Sequence, residues 1–246
     1  VSRYVGSKWR KTAALLHDVQ LKRIIPRTVR FNKLKLKSML EEFGMVYVKP
    51  DTGTHGKGVM KVEHSMGQYR FQLGERLRKY YTFGELYEAI RKETKGRSYL
   101  IQRGIHLLTY MGRKFDLRVM VQRNPRKVWE TTGIIGRVAA LRKIVTNYHS
   151  GGTLMAVDRL LSIHMGKSAI RNKIRSLEIM GVRTGQAMRH KFPGVDEIGV
   201  DVGLDRAMMP WIIEVNTAPD PYIFRKLPDL SVFRKIRRYA KAYSRK

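Results

Sequence analysis

Trp211-Ile212-Ile213-Glu214-Val215-Asn216 is an apolar run interrupted by one acid and one amide. Read as a strand, its period of two puts Glu214 and Asn216 on the same face. A carboxylate inside such a run is costly to bury unless something pairs with it. A second acid, Asp201, interrupts the preceding run Ile198-Gly199-Val200-Asp201-Val202 in the same way. A turn around Asp205–Pro210 would fold Glu197–Leu204 and Trp211–Val215 into a hairpin and bring Asp201 close to Glu214. Two adjacent carboxylates repel each other. A divalent cation would resolve that conflict. Asp201, Glu214 and Asn216 supply the oxygen ligands magnesium prefers, with room left for waters and phosphate oxygens. Taken alone, the stretch is equally compatible with Glu214 pairing with one of the many arginines.

The next feature outward is Lys49-Pro50-Asp51-Thr52-Gly53-Thr54-His55-Gly56-Lys57-Gly58, which directly follows the strand Met45–Lys49. Its glycines permit positive φ and close backbone approach to a ligand. Successive N–H groups in such a loop can cradle an anion. Lys49 and Lys57 can neutralise phosphate charge. The spacing differs from G-x-x-x-x-G-K-[ST], and a strand from Val59 rather than a helix follows, which disfavours a Walker-type NTPase. On its own the loop also fits an ordinary glycine-containing hairpin. Together with the acids it makes chemical sense: donors for phosphates, and acids for the metal that bridges them.

Around these motifs the pattern is mixed. Leu34, Met39, Leu40 and Phe43 predict a helix ending at Gly44. Gln68–Tyr80 reads as a pair of short strands, Phe83–Thr94 as a helix and Tyr99–Gln102 as a strand leading to a connector at Arg103-Gly104. Phe115–Gln122 and Val128–Ile135 flank the turn signal Asn124-Pro125. Asn147–Gly152 reads as a loop, Ser168–Lys191 as the longest helix, and Leu230–Arg245 as an amphipathic one. Helices interspersed with hairpins place the chain in the α+β class with antiparallel sheets, and the lack of strict βαβα alternation argues against a Rossmann domain.

Composition narrows the function. The 246 residues suffice for one large domain or two closely packed subdomains. The absence of cysteine removes disulfides, thiolate metal sites and cysteine nucleophiles, and it fits a reducing, cytoplasmic setting. No run is long and apolar enough to span a bilayer. Val1–Lys11 is basic but lacks the apolar core and cleavage site of a signal peptide; a start at Val1 rather than Met is what a trimmed sequence would show. Lys and Arg total 50 against 20 acids, a formal charge of +30. Such a field attracts polyanions. An anionic polymer, an acidic peptide and nucleic acid all stay open as partners, as does a basic surface without a dedicated one.

The motifs resemble the ATP-grasp superfamily: Val46-Tyr47-Val48-Lys49-Pro50, the glycine loop, and Asp201 with Glu214-Val215-Asn216-Thr217-Ala218-Pro219. The interval from Asp201 to Glu214 is similar to that of D-alanine–D-alanine ligases. Asp116-Leu117-Arg118-Val119-Met120-Val121, Arg137 and Asn147-Tyr148-His149-Ser150-Gly151-Gly152 resemble the ribosomal-protein glutamate ligase branch. Lys8-Trp9, Ile25-Pro26-Arg27-Thr28, Gln102-Arg103-Gly104-Ile105 and Phe115-Asp116-Leu117-Arg118 extend the likeness to the endospore coat-associated ATP-grasp proteins of YheC/YheD type, over residues 8 to 230.

The resemblance implies ATP held between two α+β subdomains by antiparallel sheets. It implies a basic N-terminal segment (1–40, a reduced form of the region that precedes the grasp core), a small subdomain with the glycine loop (41–102), a large subdomain with the magnesium site (103–230) and a basic C-terminal helix (231–246). By position, Lys49 would contact phosphate or the adenine edge. Gly53, Thr54, Gly56, Lys57 and Gly58 would form the flap over the β- and γ-phosphates. Gln102, Arg103, Gly104 and Ile105 would lie beside adenine, Arg118 and Arg137 would be the catalytic cations, and Asp201, Glu214 and Asn216 would hold Mg2+. The implied activity is ATP-dependent ligation of a small-molecule or peptide carboxylate to an amine, in a cytoplasmic or spore-associated protein. The alternatives are an ATP-binding structural protein of the spore coat without turnover, and a nucleic-acid- or polyanion-binding module. Two departures stand out: about forty residues precede the Lys49 strand where relatives carry a further domain, and Asp220 follows Pro219 where peptide ligases often have glycine.

Overall fold

The computed structural model describes residues 2–54, 56–146, 148 and 151–244. Two antiparallel sheets form face-to-face halves, and each buries its own core. In the first sheet the strands lie in the order β1 (Thr28–Arg30), β6 (Tyr99–Arg103), β2 (Met45–Pro50), β3 (Met60–Ser65), β4 (Gln68–Leu73) and β5 (Arg76–Tyr80). Helices α3 (Lys33–Phe43) and α4 (Phe83–Thr94) cover it. Gly44 ends α3 at φ 67°, the left-handed conformation glycine adopts without steric cost. Leu36, Met39 and Leu40 supply the buried face of α3. Leu34 is 80% exposed, because two residues before Leu36 it falls on the opposite side of the helix. Thr82 and Glu85 form a capping box that starts α4.

The second sheet runs β10 (Thr153–Met155), β9 (Trp129–Val138), β8 (Arg113–Arg123), β11 (Glu197–Leu204), β12 (Pro210–Asn216), with the short β7 (Thr109–Tyr110) on β8. Its central strand is patterned for two different partners. Phe115, Leu117, Val119 and Val121 point to one face, into the core beneath the long helix α6 (Lys167–Lys191). Asp116, Arg118, Met120 and Gln122 point to the other. Met120 and Gln122 lie under the C-terminal helix α7 (Leu230–Ser244), whereas Asp116 and Arg118 face the first sheet.

The basic N-terminal stretch serves both halves. Helices α1 (Lys8–Leu15) and α2 (Val19–Lys22) pack on α6, and α1 also packs on β12; β1 joins the first sheet and α3 covers it. A short α5 (Val157–Leu161) lies on β9. Among the described residues no helix is long and apolar enough to cross a membrane.

Candidate functional site

The polar residues on the open face of the second sheet form a charged row, because strand register aligns them. Arg118 on β8 is opposite Asp201 on β11, and Asp201 is opposite Glu214 on β12. Arg137 on β9 is opposite Asp116 on β8. Arg118 Nε donates to Asp201 Oδ1 at 2.5 Å, and Arg137 Nη2 lies 3.0 Å from Asp201 Oδ2. Burial alone would raise the Asp201 carboxyl; the two guanidinium groups overcome that and hold it at about 2. Arg137 also grips Asp116 through two hydrogen bonds of 2.8 and 2.6 Å, and Thr146 Oγ1 donates to the same carboxylate at 2.6 Å. Burial works against the Arg137 charge, but Asp116 and Asp201 together push its pKa further up. Asn216 Nδ2 points to Asp201 Oδ2 at 3.4 Å, which leaves the amide oxygen of Asn216 free of that contact. The expected alternative for Glu214, an arginine partner, is realised on Asp201 instead. Glu214 has Lys8 Nζ at 3.7 Å.

A register shift in β12 links the halves. Asp201 pairs with Glu214 and Val202 with Ile212, so Ile213 is the extra residue of a bulge. A bulge takes one residue out of the ladder and re-aims its groups. The Ile213 carbonyl accepts from Lys49 Nζ at 3.1 Å and from Gln102 Nε2 at 3.3 Å, both on the first sheet. Lys49 also donates to Gln102 Oε1 at 2.9 Å. Burial pulls the Lys49 ammonium down to about 8, with Glu214 offsetting part of the loss.

The glycine loop closes one side of the cleft, and α1 anchors it. Asp51, which opens the loop, accepts from Ser7 Oγ and from Trp9 N at 2.8 Å, and the Lys8 N–H donates to the Asp51 carbonyl at 2.8 Å. Lys8 Nζ reaches the Gly53 carbonyl at 2.9 Å. Gly53, Thr54, Gly56 and Lys57 line the cleft together with Arg118, Arg137, Asp201, Glu214 and Asn216. Gly56 has φ 69° and a space that a Cβ would share with Val145 at 3.1 Å, so flap and facing loop touch. Gly58 lies outside the cleft; its φ of 76° turns the chain beside the Tyr99 hydroxyl.

Next to this polar end is an apolar slot walled by Tyr47, Val59, Ile105, Leu107, Val145 and Ile213, with Lys49 and Gln102 at its base. Of the connector residues, Gln102, Arg103 and Ile105 border the slot. The Arg103 guanidinium also lies over the rings of Phe43 and Trp211, at 5.1 and 5.2 Å. Gly104 contributes only backbone: its N–H donates to the Met45 carbonyl at 2.9 Å, and a Cβ would sit 2.5 Å from Met45. His55, Asn147, His149 and Ser150 fall outside the described residues.

Three residues of this site had no role assigned from the sequence: Lys11, and Lys8 and Asp116, which entered only as members of the family motifs. Lys8 and Lys11 are both buried on the face of α1 that also carries Ala14 and Leu15. Burial lowers the Lys11 pKa, and Glu214 opposes that shift. The available signal was two lysines on the apolar side of a short helix, which a generally basic segment conceals.

A family model for YheC/D-like ATP-grasp proteins matches residues 1–246. The chain belongs to the YheC/D-like ATP-grasp family. Among curated relatives it is 23% identical over 225 residues to the endospore coat-associated protein YheD of Bacillus subtilis, covering 89% of this chain and 49% of that one. It therefore spans about half the length of that relative. Solved ATP-grasp structures share the fold. D-cycloserine synthetase DcsG superposes with a TM-score of 0.59 at 12% identity, over 97% of this chain and 70% of that one. The ADP complex of N5-carboxyaminoimidazole ribonucleotide synthetase gives 0.52 at 12% identity, over 88% and 46%. The C-terminal domain of K. lactis Pby1, described as an ATP-grasp enzyme interacting with the mRNA decapping enzyme Dcp2, gives 0.50 at 15%, over 95% and 71%.

Proposed function

We propose that this ATP-grasp chain binds ATP with magnesium and joins a carboxylate to an amine through an acylphosphate. The observation that carries the reading is the single cleft in which the glycine loop, Arg118, Arg137, Asp201, Glu214 and Asn216 all meet. Adenine would occupy the apolar slot, with Gln102, Arg103 and Ile105 beside it. Lys49, which lines the slot beside Gln102, would contact phosphate or the adenine edge. The N–H groups of Gly53, Thr54 and Gly56 and the Lys57 ammonium would cover the terminal phosphates. Lys8 would add a second ammonium from α1.

Two carboxylates and one carboxamide form an oxygen set that suits magnesium, with phosphate oxygens and waters completing the shell. Among the described residues no group of three His, Asp or Glu side chains gathers, so Asn216 is needed as the third member. Asp201, Glu214 and Asn216 would hold the ion, which would offset phosphate charge. Positioning and charge neutralisation dominate this chemistry. A substrate carboxylate oxygen forms a bond to the γ-phosphorus as the bond to the bridging oxygen of ADP breaks. The amine then attacks the acyl carbon, loses a proton and expels phosphate. Arg118 and Arg137 would face the transferred group, and Asp116 holds Arg137 in place through its two bonds. A cytoplasmic setting, which would supply the ATP, and the endospore coat association of the YheD relative are part of the same proposal.

The engagement of Asp201 by two guanidinium groups favours a second reading, nucleotide binding without turnover. Phosphate release from Mg-ATP across a panel of carboxylates and amines separates the two. Turnover that falls ~10²–10³-fold in Asp201→Asn and in Arg137→Gln supports the ligase. Mg-ADP binding without turnover for any pair supports the second reading. Failure of Mg-ADP to bind defeats both.

A further inference from the structure

Helix α7 has an inner and an outer face, and polar bonds fix which is which. Ile236, Tyr239 and Tyr243 are buried. Gln122 Nε2 donates to the Ile236 carbonyl at 3.1 Å and to Tyr243 Oη at 2.9 Å. Tyr243 Oη donates to Glu197 at 2.8 Å, and Tyr239 Oη to Glu130 at 2.9 Å. Lys235 also turns inward, 3.2 Å from Glu130. These contacts lock the rotation of the helix. The outer face then presents Arg234, Arg237, Arg238 and Lys241 in i, i+3, i+4, i+7 order, along one shallow groove with Phe233. The sequence from Leu230 to Ser244 contains no acid.

This basic stripe connects with the cleft. The Arg237 guanidinium lies over the Tyr222 ring at 5.4 Å, and Tyr222 packs against Phe233 with ring centroids 5.9 Å apart. Tyr222 is 53% exposed and sits between Asp220 and Ile223, both of which line the cleft. Asp220 accepts from the Tyr222 N–H at 2.8 Å, and Asp229 accepts from Ser231, so each of these nearby acids is engaged in a turn.

We infer that the outer face of α7 is a docking track for an acidic polypeptide, which delivers one of its own carboxylates to the cleft. The inference rests on the ligase reading for the fate of that carboxylate. Exposed ion pairs are individually weak and screened by salt. The stripe from Arg234 to Lys241 is roughly 10 Å long at the helical rise, about the span of three extended residues. A free amino acid meets one of these cations at a time; a chain with repeated carboxylates meets several at once. Nucleic acid would offer comparable charge but no carboxylate for the cleft, so an acidic peptide is the occupant that serves both ends.

Labelled hexa-aspartate is the probe, with oligothymidylate of equal charge as the competitor, and binding is followed by anisotropy in low and physiological salt. The full chain should bind the peptide with an affinity that falls as salt rises. The combined variant R234Q/R237Q/R238Q/K241Q should weaken binding roughly tenfold or more. The corresponding Arg→Lys triple variant and Lys235→Gln should keep it. Mg-ADP thermal stabilisation, read on every variant, reports the fold and the nucleotide site separately. Unchanged peptide affinity in the combined variant overturns the track, as does tighter binding of the oligothymidylate. Loss of peptide binding in that variant, in a protein that turns over no carboxylate, leaves the track standing and removes the ligase reading. Turnover of small carboxylates with no peptide binding does the reverse.

Discussion

Lys49 carries its ammonium into a buried position between the halves, and the cost appears in its pKa of about 8. An ordinary lysine stays charged to about pH 10.4. Between these values the unfolded chain holds a proton that the folded chain has released, so this residue makes stability rise with pH from about 8 upward. Ligand binding runs the other way. A phosphate beside Lys49 favours the charged form, so nucleotide affinity should weaken above about pH 8, and binding at pH 8.5 should take up part of a proton. Calorimetric titration of Mg-ADP in two buffers of different ionisation enthalpy measures that uptake. Lys49→Arg, which stays charged throughout, should abolish both the uptake and the pH dependence. Equal uptake in wild type and variant would move the titrating group elsewhere. The position of Lys49 was legible, since a lysine ending an apolar strand before a glycine loop is conspicuous. Lys8 entered only through the Lys8-Trp9 family motif and its role was not legible, because its own chemistry matches that of the other cations of residues 1–40; what sets it apart is the tertiary docking of α1 beside Glu214.

At the scale of elements, what could be read from the sequence were segments with their own punctuation. Helix α3 stops at Gly44, α4 starts at a capping box, β8 and β9 turn at Asn124-Pro125, and α6 carries a long apolar period. The short β1, β7 and β10 exist through their neighbours, and no pattern of two or three residues announces them. The bulge at Ile213 was equally hidden, because it is defined by the pairing of β12 with β11 and not by β12 alone. Helix α6 illustrates the same dependence. Gly181 and Gly185 fall one turn apart inside it, where glycine costs ~1 kcal/mol relative to alanine. Contact with the sheet explains them: a Cβ on Gly185 would sit 2.6 Å from the Trp129 ring, and one on Gly181 3.0 Å from Val119 and Val121. Overpacking costs ~1–3 kcal/mol, more than the propensity gained. Gly185→Ala should therefore lower the Tm, whereas Gly84→Ala in α4, where a Cβ meets nothing within 4 Å, should leave it unchanged or raise it. Urea unfolding of the two variants checks the contrast. Stabilisation by Gly185→Ala would mean that α6 stands further from the sheet than described.

For the molecule as a whole, the hydrophobic cores carry a formal charge of +30, and polar contacts help to join the halves. Beside the Lys49 and Gln102 bonds to Ile213, Gln72 Nε2 donates to the Arg142 carbonyl at 2.9 Å and Lys143 pairs with Glu75 at 2.8 Å. Salt acts on these two features in opposite directions. It screens the repulsion among excess cations, which stabilises the fold, and it weakens exposed pairs such as Lys143–Glu75, which are worth ~0–1 kcal/mol each. The Debye length falls from ~30 Å at 0.01 M to ~8 Å at 0.15 M. Over that range the long-range repulsion of many cations loses more than a few short-range pairs do, so the Tm should rise by several degrees. Scanning calorimetry in sodium chloride and in sodium fluoride, at fixed pH and matched ionic strength, tests this. An equal rise in both salts identifies screening. A rise confined to a third sample, in sodium phosphate of the same pH and ionic strength, would instead identify an anion held in the cleft by the cations around it. A fall in Tm would mean that the ion pairs across the halves outweigh the repulsion, and hence that opening of the cleft, not global charge, limits stability.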